Sequence, residues 1–133
     1  MLFRSKRQSS ARIGPERFVA QAAQALGDDD GRIMLISFVP EVLEAARDHG
    51  YPIGYCVDSL TDAERTITER LGPDVVLFDH TTLEMQSQLW PGEWRYGAWE
   101  VETSARAQQL WSWGVHYVES MIPERLVAEG LIV

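Results

Sequence analysis

The sequence is poor in cysteine and in long apolar runs. Cys56 is the single cysteine among 133 residues, so no intramolecular disulfide can form. This usage is typical of a reducing compartment such as the cytoplasm. No run is long enough to cross a bilayer, and no apolar segment of a signal peptide follows the basic residues near Met1. We therefore expect a cytoplasmic protein that has no membrane partner.

Basic residues are also scarce. Twelve lysines and arginines stand against twenty aspartates and glutamates, which gives a formal net charge of −8. Such a surface repels the phosphates of nucleic acids and of anionic lipids, so nucleic acid is not an expected partner. The cluster Arg4, Lys6 and Arg7 is a local exception. We interpret residues 1–13 as a solvated N-terminal arm.

Hydrophobic residues make up 45% of the chain, which at this length suffices for one buried core. We therefore predict one α/β domain over residues 14–133. Apolar runs and helical spacings alternate along it. The predicted strands lie at 32–37, 51–58, 74–79, 97–102 and 115–120. The predicted helices lie at 15–26, 40–49, 62–71, 81–90 and 104–113, with another from about 123.

About five strands that alternate with single helices indicate βαβ units and a parallel sheet. This pattern leaves two architectures open, an open doubly wound sheet or part of a (β/α) barrel. No glycine-rich phosphate loop follows any predicted strand, so the usual sign of nucleotide binding in open sheets is missing.

Three stretches resemble the carboxyl-terminal half of the glycerophosphodiester phosphodiesterases. In that family a strand ending in Ser-Phe precedes a helix of the form P-x-x-L-x-x-x-R, which "SFVPEVLEAAR" matches. The next stretch, "YPIGYCVD", resembles the family's following strand. The closing "AWEVETSARAQQLWSWGVHYVESMIPERL" resembles a W-T-V-N strand, an alanine-bearing helix, Gly-Val and a T-D-x-P strand. The matching positions of the first stretch are Ser37, Phe38, Pro40, Leu43 and Arg47.

The family has a TIM-barrel fold, binds a divalent metal and hydrolyses glycerophosphodiesters to an alcohol and glycerol 3-phosphate. The resemblance therefore implies a partial TIM-type barrel of about five parallel strands. The family's H-R-G, E-x-D, H-D and E-x-K segments carry its catalytic histidines, its arginine and its metal-binding carboxylates, and we find no counterpart of them here. This implies a chain that is inactive alone and needs no cofactor. Magnesium or calcium would bind only if a complete family site were assembled.

Three residues are candidates for a retained substrate contact. The family's W-T-V-N tryptophan lines its pocket, so the resemblance implies this role for Trp99, with Phe38 at its own strand end as the second. His80 follows a strand at the edge where TIM-barrel active sites lie, although a lone histidine there more often holds a loop. We assign no catalytic residue and no metal ligand. Glu119 and Ser120 replace the family's closing Thr-Asp.

Glu100 and Glu102 stand where the family has Thr and Asn. On a strand, residues two apart share a face, so the pair could serve acid–base chemistry or a metal. The alternative is that both glutamates face the helix layer and form ion pairs with Arg95 or Arg106. The sequence leaves this choice open.

A half barrel leaves two sheet edges and an inner face that natural proteins pair or cover. We therefore expect a homo-oligomer or a complementary N-terminal half-barrel as partner. Trp111 and Trp113 are two apart on a helix, so at least one points outward and could mark an interface. Three functions remain: a non-catalytic binding or assembly module, an enzyme completed in trans, and a doubly wound regulatory domain.

Overall fold

The structure is a computed structural model that describes residues 34–120 and the backbone of residues 2–4. The described strands form one parallel sheet with three helices. The strands are β1 (Leu2–Arg4), β2 (Met34–Ser37), β3 (Ile53–Val57), β4 (Val75–Asp79), β5 (Arg95–Trp99) and β6 (Tyr117–Val118). The helices are α1 (Pro40–Asp48), α2 (Asp62–Leu71) and α3 (Ser104–Trp113).

The strands lie in the sheet in the order in which they occur in the chain, and every neighbouring pair is parallel. A doubly wound sheet reverses its strand order at a switch point, whereas a barrel adds each strand on the same side. No reversal occurs among the six described strands. The doubly wound alternative is therefore wrong, and the prediction of a barrel-type sheet is confirmed.

The sheet contains one strand more than the sequence predicted. Residues 2–4, assigned above to a solvated arm, pair in parallel with residues 34–36. Three residues are too few to show an alternating pattern, so no sequence pattern indicated β1. The boundary at residue 13 and the helices predicted at 15–26 and from about 123 lie outside the described residues.

Local capping explains the ends of the helices. Pro40 occupies the first turn of α1, where its missing N–H costs no hydrogen bond. The Thr61 side chain accepts a hydrogen bond from the Glu64 N–H at the start of α2, and Gly72 ends that helix in the left-handed conformation. These predicted boundaries are confirmed. Within residues 34–120 no helix has the length and apolar character to cross a membrane.

The segment after β4 was predicted to be a short helix and is instead two 3₁₀ turns, His80–Thr82 and Gln86–Gln88. Its own polar side chains bind the backbone donors. Asp79 Oδ1 accepts from the N–H and the hydroxyl of Thr81, and Gln88 Oε1 accepts from the N–H of Met85. Such local bonds compete with an α-helix, so the predicted helix is wrong.

The sheet has apolar residues on both faces. The outer face packs against the helices through a core that includes Leu43, Phe78 and Leu110. The inner face carries a second buried cluster. Its members are Ile36, Cys56, Val75, Leu77 and Trp99. Cys56 therefore serves as a small buried hydrophobe, as the apolar run around it suggested.

Candidate functional site

The three candidate residues lie at the carboxyl edge of the sheet. Phe38 follows β2, His80 follows β4 and Trp99 ends β5. In TIM barrels this edge carries the active site because the loops after the parallel strands converge there. The fold therefore brings all three residues to the same edge.

Phe38 and Trp99 are in direct ring contact. Their centroids are 5.9 Å apart and their planes meet at 72°, an edge-to-face arrangement. Two strands, β3 and β4, lie between them, and strands about 4.8 Å apart would separate them by roughly 14 Å on a flat sheet. The contact therefore requires a strongly concave inner face. Trp99 is only 7% exposed.

Below this pair, the concave inner side of the sheet is filled by side chains that lie over glycine residues of neighbouring strands. A Cβ on Gly54 would lie 2.7 Å from Ile36 Cγ2 and 2.9 Å from Leu77 Cδ1. A Cβ on Gly97 would lie 3.0 Å from Leu77 Cδ2. Leu77 thus spreads over both neighbouring strands. A side-chain-filled interior is the property of barrels of about eight strands.

The first family-like stretch has mainly structural roles. Ser37 Oγ accepts from the Val39 N–H at 2.9 Å and shapes the turn before Pro40. Leu43 is fully buried in the helix–sheet core, and Arg47 donates to the Gly72 carbonyl oxygen at 2.7 Å, which holds α1 to the end of α2. Of the five matching positions, Phe38 alone presents its side chain to the inner face.

His80 binds to Arg106. Arg106 Nε donates to His80 Nδ1 at 3.1 Å, and Arg106 Nη2 donates to the carbonyl oxygens of His80 and Leu83. Arg106 Nη1 donates to Gln109, and the guanidinium lies 5.5 Å from the centroid of the Trp113 ring. Because Nδ1 accepts, the neutral ring carries its proton on Nε2. The arrangement fixes the loop after β4 onto α3.

The glutamate pair does not form the arrangement considered above. β5 ends at Trp99, and Glu100 adopts a left-handed backbone with φ 61°, so Glu100 and Glu102 do not continue a strand. Neither forms an ion pair with Arg95 or Arg106. Arg106 binds the loop after β4, and Arg95 Nη1 donates to the Tyr117 hydroxyl. The shared strand face that the acid–base or metal interpretation assumed is therefore wrong, because β5 ends before both glutamates.

A carboxylate ends or directly follows each of the last four strands: Asp79 ends β4, and Asp58, Glu100 and Glu119 follow β3, β5 and β6. Asp79 caps the turn after β4. Desolvation by burial raises the pKa of Glu119 above its ordinary value. Across residues 34–120, no three His, Cys, Asp or Glu side chains are grouped so that they could hold a metal ion. The described residues therefore do not fit a magnesium or calcium site.

The two helical tryptophans of α3 point to different environments, as their spacing predicted. Trp113 is partly buried against the core and under Arg106, whereas Trp111 is 55% exposed. The other histidines are not part of the carboxyl edge. His49 Nδ1 lies 2.9 Å from the Ala45 carbonyl oxygen at the end of α1, and His116 is exposed before β6.

A cleft of about 750 Å³ lies at the opposite, amino edge of the sheet. Residues from the starts of β2, β4, β5 and β6 line it, including Met34, Asp74, Arg95 and Tyr117. In barrels this edge serves stability rather than catalysis. Asp74 illustrates this, because its Oδ2 accepts from the Ile53 N–H at 2.8 Å and ties the starts of β3 and β4 together.

Comparisons with known proteins agree with the geometry. A phosphodiesterase of Oleispira antarctica, solved with its product sn-glycerol-3-phosphate, superposes with a TM-score of 0.68 at 18% identity. The match covers 87% of this chain and 50% of that enzyme. The fold is a partial TIM-type barrel. The chain thus spans about half the length of the phosphodiesterase it matches, and the likeness in fold that the motifs predicted is confirmed.

Comparison with family models found no match, and comparison with curated proteins found none. At this level of identity the structural likeness concerns the fold. The roles of Phe38, His80 and Trp99 toward a substrate therefore stay predictions.

Sequence reasoning missed two features of the site. Arg106 was considered as a partner for glutamates, but its planar fork instead matches the carbonyl oxygens and the imidazole after β4. The close packing over Gly54 and Gly97 was also missed. A signal was available for the second, because a glycine inside a strand often marks a close approach of neighbouring groups.

Proposed function

We propose that this chain is a glycerophosphodiester phosphodiesterase-like protein that forms one wall of the barrel and does not hydrolyse phosphodiesters by itself. The observation that carries the proposal is the contact of Phe38 with Trp99 at the carboxyl edge of a consecutively ordered parallel sheet. The motif order and the likeness to the Oleispira antarctica phosphodiesterase support the same family.

The charges at the described carboxyl edge support the lack of activity. A phosphodiester is an anion, and the carboxylates of Asp79 and Glu119 would repel it unless a cation intervened. Arg106, the arginine nearest to His80, already donates to that residue and to Leu83.

The proposal keeps Phe38 and Trp99 as an apolar wall and His80 as a polar neighbour of a bound glycerophosphodiester. Phe38 is the more accessible ring, since Trp99 is 7% exposed. We propose a role in lipid and glycerol metabolism, to which this substrate class belongs. The single cysteine, which is buried, supports a cytoplasmic location. Magnesium or calcium would bind only if residues outside the described part of the chain supplied its ligands.

The test is an assay of the purified 133-residue chain. We would incubate it with glycerophosphocholine and either magnesium or calcium, and measure released glycerol 3-phosphate. The expected release equals that of a heat-denatured control. Turnover that a chelator abolishes would overturn the proposal.

A second candidate function is an enzyme that is completed in trans. The favouring observation is the number of strands, since six described strands are two short of the eight that close a TIM barrel. Its test is the same assay after addition of a polypeptide that supplies the remaining strands. Gain of turnover would support this candidate, and continued inactivity of a formed complex would remove it.

A further inference from the structure

His80 is held at the carboxyl edge by a side chain from a different element. It follows Asp79, the last residue of β4, and Asp79 is in register with Trp99 on β5. Arg106 lies in the first turn of α3, the helix that comes after β5. His80 is only partly buried, so it keeps surface that a ligand beside the end of β5 can reach.

The bond to Arg106 decides which nitrogen of the His80 ring carries the proton. Arg106 Nε donates to His80 Nδ1 at 3.1 Å, and a guanidinium has donors only. Nδ1 therefore keeps its lone pair for this bond, and the proton of the neutral ring lies on Nε2. Because the two nitrogens lie on opposite sides of Cε1, the Nε2–H bond points away from Arg106.

Arg106 is itself fixed by several partners. Its Nη2 donates to the carbonyl oxygens of His80 and Leu83, and its Nη1 donates to Gln109 at 2.6 Å. The guanidinium carbon lies 5.5 Å from the centroid of the Trp113 ring. The same arginine thus binds both the ring and the backbone of His80, which leaves the imidazole little freedom to turn over.

The other two histidines of the chain have different surroundings. His49 Nδ1 lies 2.9 Å from the Ala45 carbonyl oxygen, which only accepts, so its neutral ring carries the proton on Nδ1. His116 is exposed and is in a tilted ring contact with Tyr117. The tautomer of His80 is therefore a property of its own site, and the chain contains two histidines for comparison.

We infer that Arg106 is a positioning residue that holds His80 as a neutral hydrogen-bond donor, through Nε2–H, for an acceptor oxygen of a ligand at the carboxyl edge. With Nδ1 occupied and Nε2 protonated, the ring has no lone pair with which to take a proton from water. His80 therefore binds a ligand and does not serve as a base.

This inference rests on the proposed function, in which a glycerophosphodiester is bound and not hydrolysed. Such a ligand offers two kinds of acceptor oxygen, those of the phosphoryl group and those of the glycerol hydroxyls. Both are the same chemistry for a single N–H donor, and separate titrations with glycerol and with inorganic phosphate distinguish them.

The test is a long-range ¹H–¹⁵N correlation spectrum of the ¹⁵N-labelled chain at about pH 8, above the ordinary titration range of imidazole. We expect His80 to have a protonated Nε2 and an unprotonated Nδ1, and His49 to have the reverse. Arg106→Ala should move both nitrogen shifts of His80 toward those of the exposed His116. Gln109→Ala is the matched control, because it removes a partner of Nη1 and leaves the bond from Nε.

Ligand binding is followed on the same signals. Glycerophosphocholine should shift the Nε2–H signal of His80 and leave that of His49 in place. Arg106→Ala should weaken the binding of glycerophosphocholine about twofold to tenfold, as the loss of one hydrogen bond does, and Gln109→Ala should leave it unchanged. Thermal melts establish that the variants fold, and Arg106→Lys replaces Arg106→Ala if the alanine variant does not.

Three results would overturn the inference. They are a His80 ring in the parent chain that is protonated on Nδ1 or averaged like His116, a His80 spectrum that the arginine substitution leaves unchanged, and a His80 signal that none of the three ligands shifts. Chelator-sensitive hydrolysis by the chain alone would instead contradict the proposed function and would leave the tautomer of His80 as described.

Discussion

The ring of Phe38 meets the ring of Trp99 edge-on at the carboxyl edge, although two strands lie between the strands that carry them. On a flat sheet these side chains would project side by side and remain apart. The contact between the two rings therefore reflects the curvature of the sheet. Removing either ring should lower the stability of the packing on the inner face.

We expect Trp99→Ala to destabilise the protein by about 3–5 kcal/mol, because it empties a buried site. Phe38→Ala should cost less, since Phe38 is only partly buried. Urea denaturation of both single variants and the double variant should give a coupling free energy of about 0.5–1.5 kcal/mol. Strictly additive single effects would mean that the rings do not interact in solution.

The two inner glycines should tolerate a methyl group to different extents. Gly54→Ala meets a β-branched side chain and a leucine from two sides, at 2.7 and 2.9 Å, so we expect a loss of about 1–3 kcal/mol. Gly97→Ala meets Leu77 alone at 3.0 Å and should cost less. Adding Leu77→Val should relieve the Gly97→Ala clash more than the Gly54→Ala clash. Thermal and urea unfolding test the order, and the reverse order would contradict the packing described.

Arg106 should act as the clamp of the loop after β4. Arg106→Lys keeps the charge but loses the planar fork that reaches His80 and Leu83 together, so we expect a loss of about 1–3 kcal/mol. His80→Ala should cost less, because both carbonyl acceptors remain. Proteolysis of the loop should become faster in the arginine variant. Arg65→Lys, in an exposed helical ion pair with Glu69, is the control and should change little.

Glu119 should make the protein less stable as the pH rises. Burial raises the pKa of Glu119 in the folded state above the value in the unfolded chain. Between these two values the folded state binds more protons, so this group's favourable contribution is present below the unfolded pKa and is lost as the pH rises through the folded pKa. Glu119→Gln should therefore raise stability at pH 7 relative to its effect at pH 4. Glu102→Gln, at an exposed position, is the comparison, and a pH-independent effect of Glu119→Gln would contradict the assignment.

The sequence predicted the strand–helix alternation and the capped helix ends because these depend on groups a few residues apart. Thr61 and Glu64 lie within one helical turn, and their hydrogen bond needs no contact from elsewhere in the fold. The same reasoning failed after β4, where Asp79 and Gln88 bind backbone donors that a helix would have used. The spacing of apolar residues carries no information about such competing hydrogen bonds from side chains to the backbone.

What the sequence determined by itself was the alternation of strands and helices, the family-like motifs and the excess of acidic charge. The tertiary structure alone decided that Phe38 reaches Trp99, that Arg106 binds His80 and that β5 stops before Glu100. Phe38 and Trp99 are 61 positions apart in the chain, and His80 and Arg106 are 26 apart. The end of β5 depends on the backbone angle of Glu100. These relationships depend on the curvature and register of the assembled sheet, which no local spacing encodes.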